Sequence, residues 1–400
     1  MTIQTLTNCL CCDSNNLFMA FDLGRQPLAN SYLASIDQTE DYYPLGINYC
    51  EKCGHIQLTH AVDPDLLFKN YLYVSGTTKT LRDYFDNFVL LTQKYTGVKQ
   101  NLSVLDIACN DGSQLDSFKK LGYNTFGIDP AENLFSESSK KHTIICDYFN
   151  SQSLSKFKQD FDIIVAQNVF AHNSYPLEFL KSAKERLKPN GYIFIQTSQA
   201  KMIEHGQFDT IYHEHISFFS TKSMTNLVNR AGLYLHDCFT TPIHGTSYVF
   251  VITANPDLDN SLVYQENNTI EAVRTKLMIT DFVYKSQKCV ENIKETIEIV
   301  RQKGFPVVGY GAAAKGNTVL NYGKITLDYI VDDNPLKQHL YTPGQKIKIV
   351  SLDFINQIYG KESICWLPLS WNFFEEIKRK IISQRPQNND TFINFDFSIS

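Results

Sequence analysis

The run FDTIYHEHISFFS places Tyr212, His213, Glu214 and His215 in consecutive positions, and NVFAHN upstream adds Asn168 and His172. Imidazole titrates near pH 7 and suits a general base; an adjacent carboxylate can orient the ring and favour its charged form, and a phenol can donate to a developing oxyanion. These residue types suit removal of a proton from carbon beside a carbonyl, the step that makes an sp3 carbon nucleophilic at neutral pH. A loop of satisfied polar residues has the same composition. A mononuclear metal site is disfavoured, because no His-Glu-x-x-His spacing is present. In an extended segment Tyr212 and Glu214 would point one way and His213 and His215 the other, so a loop or strand end has to converge them.

Cys9 and Cys12 form one Cys-x2-Cys pair, and Cys50 and Cys53 form a second, with 37 residues between the pairs. Each two-residue gap lets a tight turn aim both thiolates at one metal, and the four together predict a closed, structural zinc site. Cys11 either replaces a neighbour as ligand or stays free, and four reduced cysteines without metal are the alternative. Five of the ten cysteines fall in the first 53 residues, a clustering that points to metal binding in a reducing compartment rather than to disulfides. So small a head builds little core alone, so metal binding would supply its folding free energy.

Other elements must hold the histidines in place. VLDIACNDG at 104–112 is an apolar strand leading into a small-residue turn and a helix start, and NTFGIDP at 124–130 is a second strand ending in Asp129. A strand feeding such a turn lets backbone approach a ligand, and the acid on the next strand can accept from ribose hydroxyls. The loop carries Ala108, Asn110 and Gly112 instead of a G-x-G-x-x-G pattern, so a ligand without phosphates suits it better than a dinucleotide. FDIIVAQNV at 161–169 ends in polar residues at its carboxyl edge, and YIFIQT follows a helix ending near KPNG. Further on, FPVVGYGAAAKGNTVLN at 305–321 is a second Rossmann-type opening, where Gly309, Gly311, Gly316 and Lys315 could meet a diphosphate at a helix N-terminus. It equally suits a scaffold that only buries the substrate. Asp332 and Asp333, which would repel phosphate, are expected to cap the turn or meet a ribose or base.

The pattern divides the chain into a zinc-binding head at 1–70, a cofactor domain at 71–255, a connector with a long helix at 256–303 and a second Rossmann-like domain at 304–400. The fold class is α/β. A net charge of −5 without a long basic run argues against a nucleic-acid partner and points to a small substrate. No window approaches 18 apolar residues and the start is unlike a signal peptide, so a cytoplasmic protein without membrane association is expected. Oligomeric state is expected to be monomeric or weakly associated.

The order of DIACNDG, GIDP, CDYF and FDIIVAQNVFAH resembles class I S-adenosylmethionine-dependent methyltransferases. That resemblance implies that Asp106, Ala108, Asn110, Gly112, Asp129 and Asn168 line the cofactor, with Asp147 and Tyr148 near its adenine; Ala108 stands where the family usually has glycine. LGRQPLAN, YLYVSGTT, YHEHISFFS, PIHGTS, GYGAAAKGNT, VDDNPLKQ and LPLSWNFFEEI, spanning nearly all the chain, further resemble the sugar 3-C-methyltransferases of deoxysugar biosynthesis. This implies that His215 takes the proton alpha to a 4-keto group of a nucleotide-linked sugar, with Glu214 and Tyr212 beside it. His172 and Tyr73 (or Tyr71) would complete the pocket, Asn168 and His244 would contact the sugar, and Gly309, Gly311 and Lys315 its nucleotide. PIHGTS has Thr246 where HGGS is expected. Methyl transfer to sugar oxygen or nitrogen, and a binding protein with an inactive core, are the alternatives.

Overall fold

The computed structural model describes residues 3–68, 75–77, 79–197, 202–243, 246–260 and 276–394. Tyr71, Tyr73 and His244 lie outside the described residues, as does 261–275 of the connector; its helix is described over Lys276–Gln302.

The central sheet has seven strands in the order Tyr234–Thr241, Ser247–Thr253, Leu187–Thr197, Phe161–Gln167, Ser103–Ile107, Asn124–Asp129 and Thr143–Cys146. Only Ser247–Thr253 runs antiparallel to its neighbours. Its innermost strands are continuous apolar runs, as strands covered on both faces must be: Val104, Leu105, Ile163, Ile164, Val165 and Ala166 are all fully buried. The chain order reverses between Phe161–Gln167 and Asn124–Asp129, on either side of Ser103–Ile107. A crevice therefore opens beyond the carboxyl ends of these strands. Lys188 to Gly191 lies not in a helix end but in a bulge of the Leu187–Thr197 strand, between the paired positions Leu187 and Tyr192.

The second Rossmann unit is an all-parallel sheet ordered Ile349–Val350, Tyr329–Val331, Val307–Tyr310, Cys365–Pro368 and Thr391–Phe392. The head is an antiparallel sheet of Leu17–Gln26, Tyr43–Cys50 and Ile56–Leu58, and its fourth strand is Ser217–Phe218. That strand comes from the segment carrying Tyr212 to His215. The head's apolar side chains Phe21, Ile47 and Ile56 pack in one core with Phe282 of the long helix and with Val319 and Ile330 of the second Rossmann unit. Its cysteine end joins the core formed by Ile107, Phe170 and Phe219 of the central domain. The small head thus gains the burial it cannot generate alone by wedging between two larger units.

Candidate active site

Tyr212 to His215 form a turn closed by the His215 N–H donating to the Tyr212 carbonyl at 2.9 Å. This turn achieves the convergence that a straight strand would prevent, bringing the Tyr212 and His215 rings to 4.1 Å. The Ile216 N–H donates to the Ala171 carbonyl at 2.8 Å, tying the turn to the 3-10 helix Phe170–His172 that follows the Phe161–Gln167 strand. The rings of His172 and His215 lie 5.1 Å apart, and Phe68 of the head stacks on His172 at 5.6 Å.

His215 Nδ1 lies 2.7 Å from the Thr210 carbonyl oxygen, and Nε2 lies 2.9 Å from the Tyr212 hydroxyl. A carbonyl only accepts, so Nδ1 carries the ring proton and Nε2 presents a lone pair that accepts from Tyr212. The orienting role expected of a carboxylate falls to this main-chain oxygen. Glu214 instead accepts from the Asn30 side-chain amide at 2.6 Å. Burial pushes the His172 ring down to about 4, so it is neutral at physiological pH. His213, likewise lowered to about 4 by burial, packs edge-on to Tyr43 of the head at 6.0 Å.

Glu214 is 3% exposed, and burial raises its carboxyl from 4.5 to about 7, opposed by the Asn30 hydrogen bond. Between those values the folded chain holds a proton that the unfolded chain releases. The resulting stability is fully present below pH 4.5 and is lost as pH rises through about 7, a change on the order of 3 kcal/mol. Denaturation at pH 4 to 8 is expected to show this slope in the wild type relative to Glu214→Gln; parallel profiles would contradict it.

At the switch point, Ala108, Asn110 and Gly112 alternate at φ of 59°, 52° and 79°. A Cβ on Gly112 would sit 3.0 Å from the His142 ring, in a backbone region that disfavours side chains, so glycine is required there. Asp129 ties the loop down, accepting from the Asn110 and Ala131 N–H groups at 2.8 Å each. The 3-10 turn Ser75–Thr77 clamps it from outside: the Ser75 N–H donates to Asn110 and the Gly76 N–H to Asp111, both at 3.0 Å. A Cβ on Gly76 would lie 2.1 Å from Ser113 Oγ. Burial holds Asp106 far above the ordinary carboxylate range, reinforced by the charges of Asp129 and Asp111. Both side-chain polar atoms of Gln167 and the Asn168 Oδ1 are buried without a partner. Three crowded carboxyls and these orphaned groups fit a ligand carrying a sulfonium, an ammonium and ribose hydroxyls. Asp147 pairs with Lys156 at 2.8 Å, and the Tyr148 hydroxyl donates to Asp65 of the head at 2.9 Å.

The second Rossmann turn repeats the device, with Asp332 accepting from the Ala312 N–H at 2.8 Å. Gly309 lies within its first strand, Val307–Tyr310, and Gly311 begins its turn at a φ of 91°. Lys315 lies over the Trp371 ring at 5.2 Å and faces the charge of Asp209, which accepts from Trp371 Nε1 at 2.6 Å. Burial lowers the Lys315 ammonium. Asp333 accepts from Tyr310 and pairs with Lys380.

In the head, the sulfurs of Cys9, Cys12, Cys50 and Cys53 lie within 4.8 Å of one another. Cys9 to Cys53 is 3.5 Å and Cys12 to Cys50 is 3.6 Å, close to the roughly 3.8 Å edge of a tetrahedron with 2.3 Å zinc–sulfur bonds. Both knuckles close alike, the Asp13 N–H donating to the Cys9 carbonyl and the Gly54 N–H to the Cys50 carbonyl at 2.8 Å, with φ of 61° and 73°. Cys11 stands outside the quartet and is fully buried, and all ten cysteines are unbridged.

The doubly wound sheet, its charged switch point and the tetrathiolate head define a zinc-bearing, S-adenosylmethionine-dependent methyltransferase. Three family models match in succession: a zinc binding domain over residues 9–68, a methyltransferase domain over 78–237 and a C-methyltransferase C-terminal domain over 244–393. The C-methyltransferase NovU of Streptomyces niveus is 27% identical over 389 residues, covering 94% of this chain and 92% of the relative. Over nearly its whole length the chain is similar to these three-part C-methyltransferases. A ubiquinone biosynthesis O-methyltransferase of Hydrogenovibrio crunogenus matches only in part, at 24% identity over 36% of this chain and 58% of its own length. Among solved structures, an S-adenosylmethionine-dependent methyltransferase from Clostridium acetobutylicum is similar at 12% identity and a TM-score of 0.36, covering 44% of this chain and 92% of that one. No helix among the described residues is long and apolar enough to cross a membrane.

Proposed function

We propose that this C-methyltransferase acts at carbon 3 of a nucleotide-linked 4-keto-6-deoxysugar, through an enolate formed by its own side chains. The observation carrying the proposal is the fixed tautomer of His215. With Nδ1–H held by the Thr210 carbonyl, Nε2 is the one ring atom able to take a proton. The Tyr212 hydroxyl, which donates to Nε2 at rest, turns to the enolate oxygen once Nε2 is protonated. The neighbouring His172 ring is neutral, so the imidazolium forms without a like charge 5.1 Å away. Bound S-adenosylmethionine supplies an electrophilic methyl group.

The cofactor is assigned to Asp106, Ala108, Asn110, Gly112, Asp129 and Asn168, with Asp147 and Tyr148 toward its adenine. Asn168, which follows the Phe161–Gln167 strand and precedes the turn of His172, is also assigned to the substrate. Gly309, Gly311 and Lys315 are assigned to its nucleotide, Lys315 sharing its charge with Asp209.

Incubating the enzyme with a 4-keto nucleotide-sugar in heavy water, without S-adenosylmethionine, is expected to place deuterium at carbon 3. An unlabelled sugar would overturn the enolate step. With cofactor present, a product that keeps its carbon-bound hydrogen and gains a methyl ether would make the enzyme an O-methyltransferase.

A further inference from the structure

Residues 28 to 33 of the head form a strap that belongs neither to its sheet nor to its zinc site. It is tied to the second Rossmann unit at three points. The Ala29 carbonyl accepts from Asn317 at 2.7 Å, the Tyr32 hydroxyl donates to the Ala312 carbonyl at 2.5 Å, and Leu33 bridges Tyr341 through paired backbone bonds of 2.8 and 2.9 Å. From this anchored strap a single side chain reaches the catalytic turn: the Asn30 amide meets Glu214 Oε1 at 2.6 Å, across 184 residues of sequence. Among the described residues, Oε2 has no hydrogen-bond partner.

We propose that Asn30 is a positioning residue for Glu214, fixing the carboxyl through Oε1 and favouring its ionised form, so that Oε2 serves as acceptor for a substrate hydroxyl. An amide N–H can only donate, so it supports a carboxylate more than a carboxylic acid. Burial drives Glu214 the other way, and Asn30 is the group that opposes it. Tyr32 of the same strap feels the Glu214 charge, with Lys337 and Asp332 behind it; His213 and His215 flank Glu214 on its own turn. The three anchors explain how one amide keeps its place: the strap is held by the domain assigned to the nucleotide, and its tip reports to the catalytic turn.

The inference rests on the enolate reading for the role of Oε2 but not for the Asn30–Glu214 coupling, and the experiment separates them. Deuterium exchange at carbon 3 is followed against pH for wild type, Asn30→Ala, Asn30→Ser, Glu214→Gln and the Asn30→Ala/Glu214→Gln double variant. Loss of a charge-assisted hydrogen bond is expected to move the rising limb upward by about one to two pH units in Asn30→Ala. Asn30→Ser, which keeps a donor, is expected to restore part of the shift, and the double variant to behave as Glu214→Gln alone. A uniform loss at every pH that persists in the Glu214→Gln background would overturn the proposal. Should wild type exchange no deuterium, the enolate reading falls and stability decides the coupling. The pH midpoint of the stability difference between Glu-bearing and Gln-bearing chains must then rise with Asn30→Ala, and an unmoved midpoint overturns the proposal.

Discussion

Replacing His215 by alanine is expected to lower turnover by about 10²- to 10⁴-fold, the usual contribution of a positioned general base. The expectation rests on the direction of the ring. Main-chain oxygen of Thr210 holds Nδ1–H, so rotation or tautomer exchange would cost a buried hydrogen bond, and Nε2 stays in register with Tyr212. Neither described imidazole beside it can substitute. His172 is held neutral by burial, with a basicity too low to draw a proton from carbon, and His213 points to Tyr43 of the head. Calorimetric titration with S-adenosylmethionine is expected to give an unchanged affinity, because the assigned cofactor residues lie on the strand ends and loops of the central sheet. Tyr212→Phe is expected to cost less, since Nε2 keeps its lone pair and only the donor to the enolate oxygen is lost. A His215→Ala enzyme within tenfold of wild type would remove His215 from the role of base.

How far these features could be read from sequence depends on how local their causes are. The two Cys-x2-Cys pairs carry their own turn geometry, so a zinc quartet was legible without a fold. The Ser103–Ile107 and Asn124–Asp129 strands were legible because an apolar run ending in a small-residue loop or an acid is a local pattern. The loop's tie to Asp129 is a backbone matter, and a ligand-facing acid was expected where the structure also shows a loop brace. Other features are tertiary. Thr210 acts on His215 through its carbonyl, which no side-chain pattern reveals. Asn30 stands in LGRQPLAN, a stretch noted for resemblance alone, and its partner lies 184 residues away. Ser75 and Gly76 clamp the Ala108–Gly112 loop through backbone N–H groups, a role signalled only by the glycine. The Ser217–Phe218 strand is too short to declare itself; it exists because the head sheet offers an open edge beside Ile56–Leu58.

That borrowed strand makes the zinc site matter beyond the head. Cys12→Ser or Cys50→Ser is expected to abolish stoichiometric zinc and most methyl transfer, while S-adenosylmethionine binding survives in part. A structural zinc contributes an apparent 10–16 kcal/mol in small domains, comparable to the whole stability of a typical folded protein, about 5–15 kcal/mol. Without it the two knuckles lose their cross-link, and the sheet that begins and ends at them loosens. The Leu58 N–H to Ile216 carbonyl bond of 2.8 Å then fails, as does the pairing of Ser217 with Gln57, and with them the anchor of the turn holding Tyr212 and His215. The central sheet keeps a separate core around Val104, Phe118, Val165 and Phe194, which is why cofactor binding should outlast catalysis. Cys11→Ala is the control: its sulfur lies outside the quartet, so one zinc per chain should remain. Metal content, thermal melting and methyl transfer measured on the three variants decide the matter, and a Cys12→Ser protein with full zinc and full activity would refute the quartet as assigned.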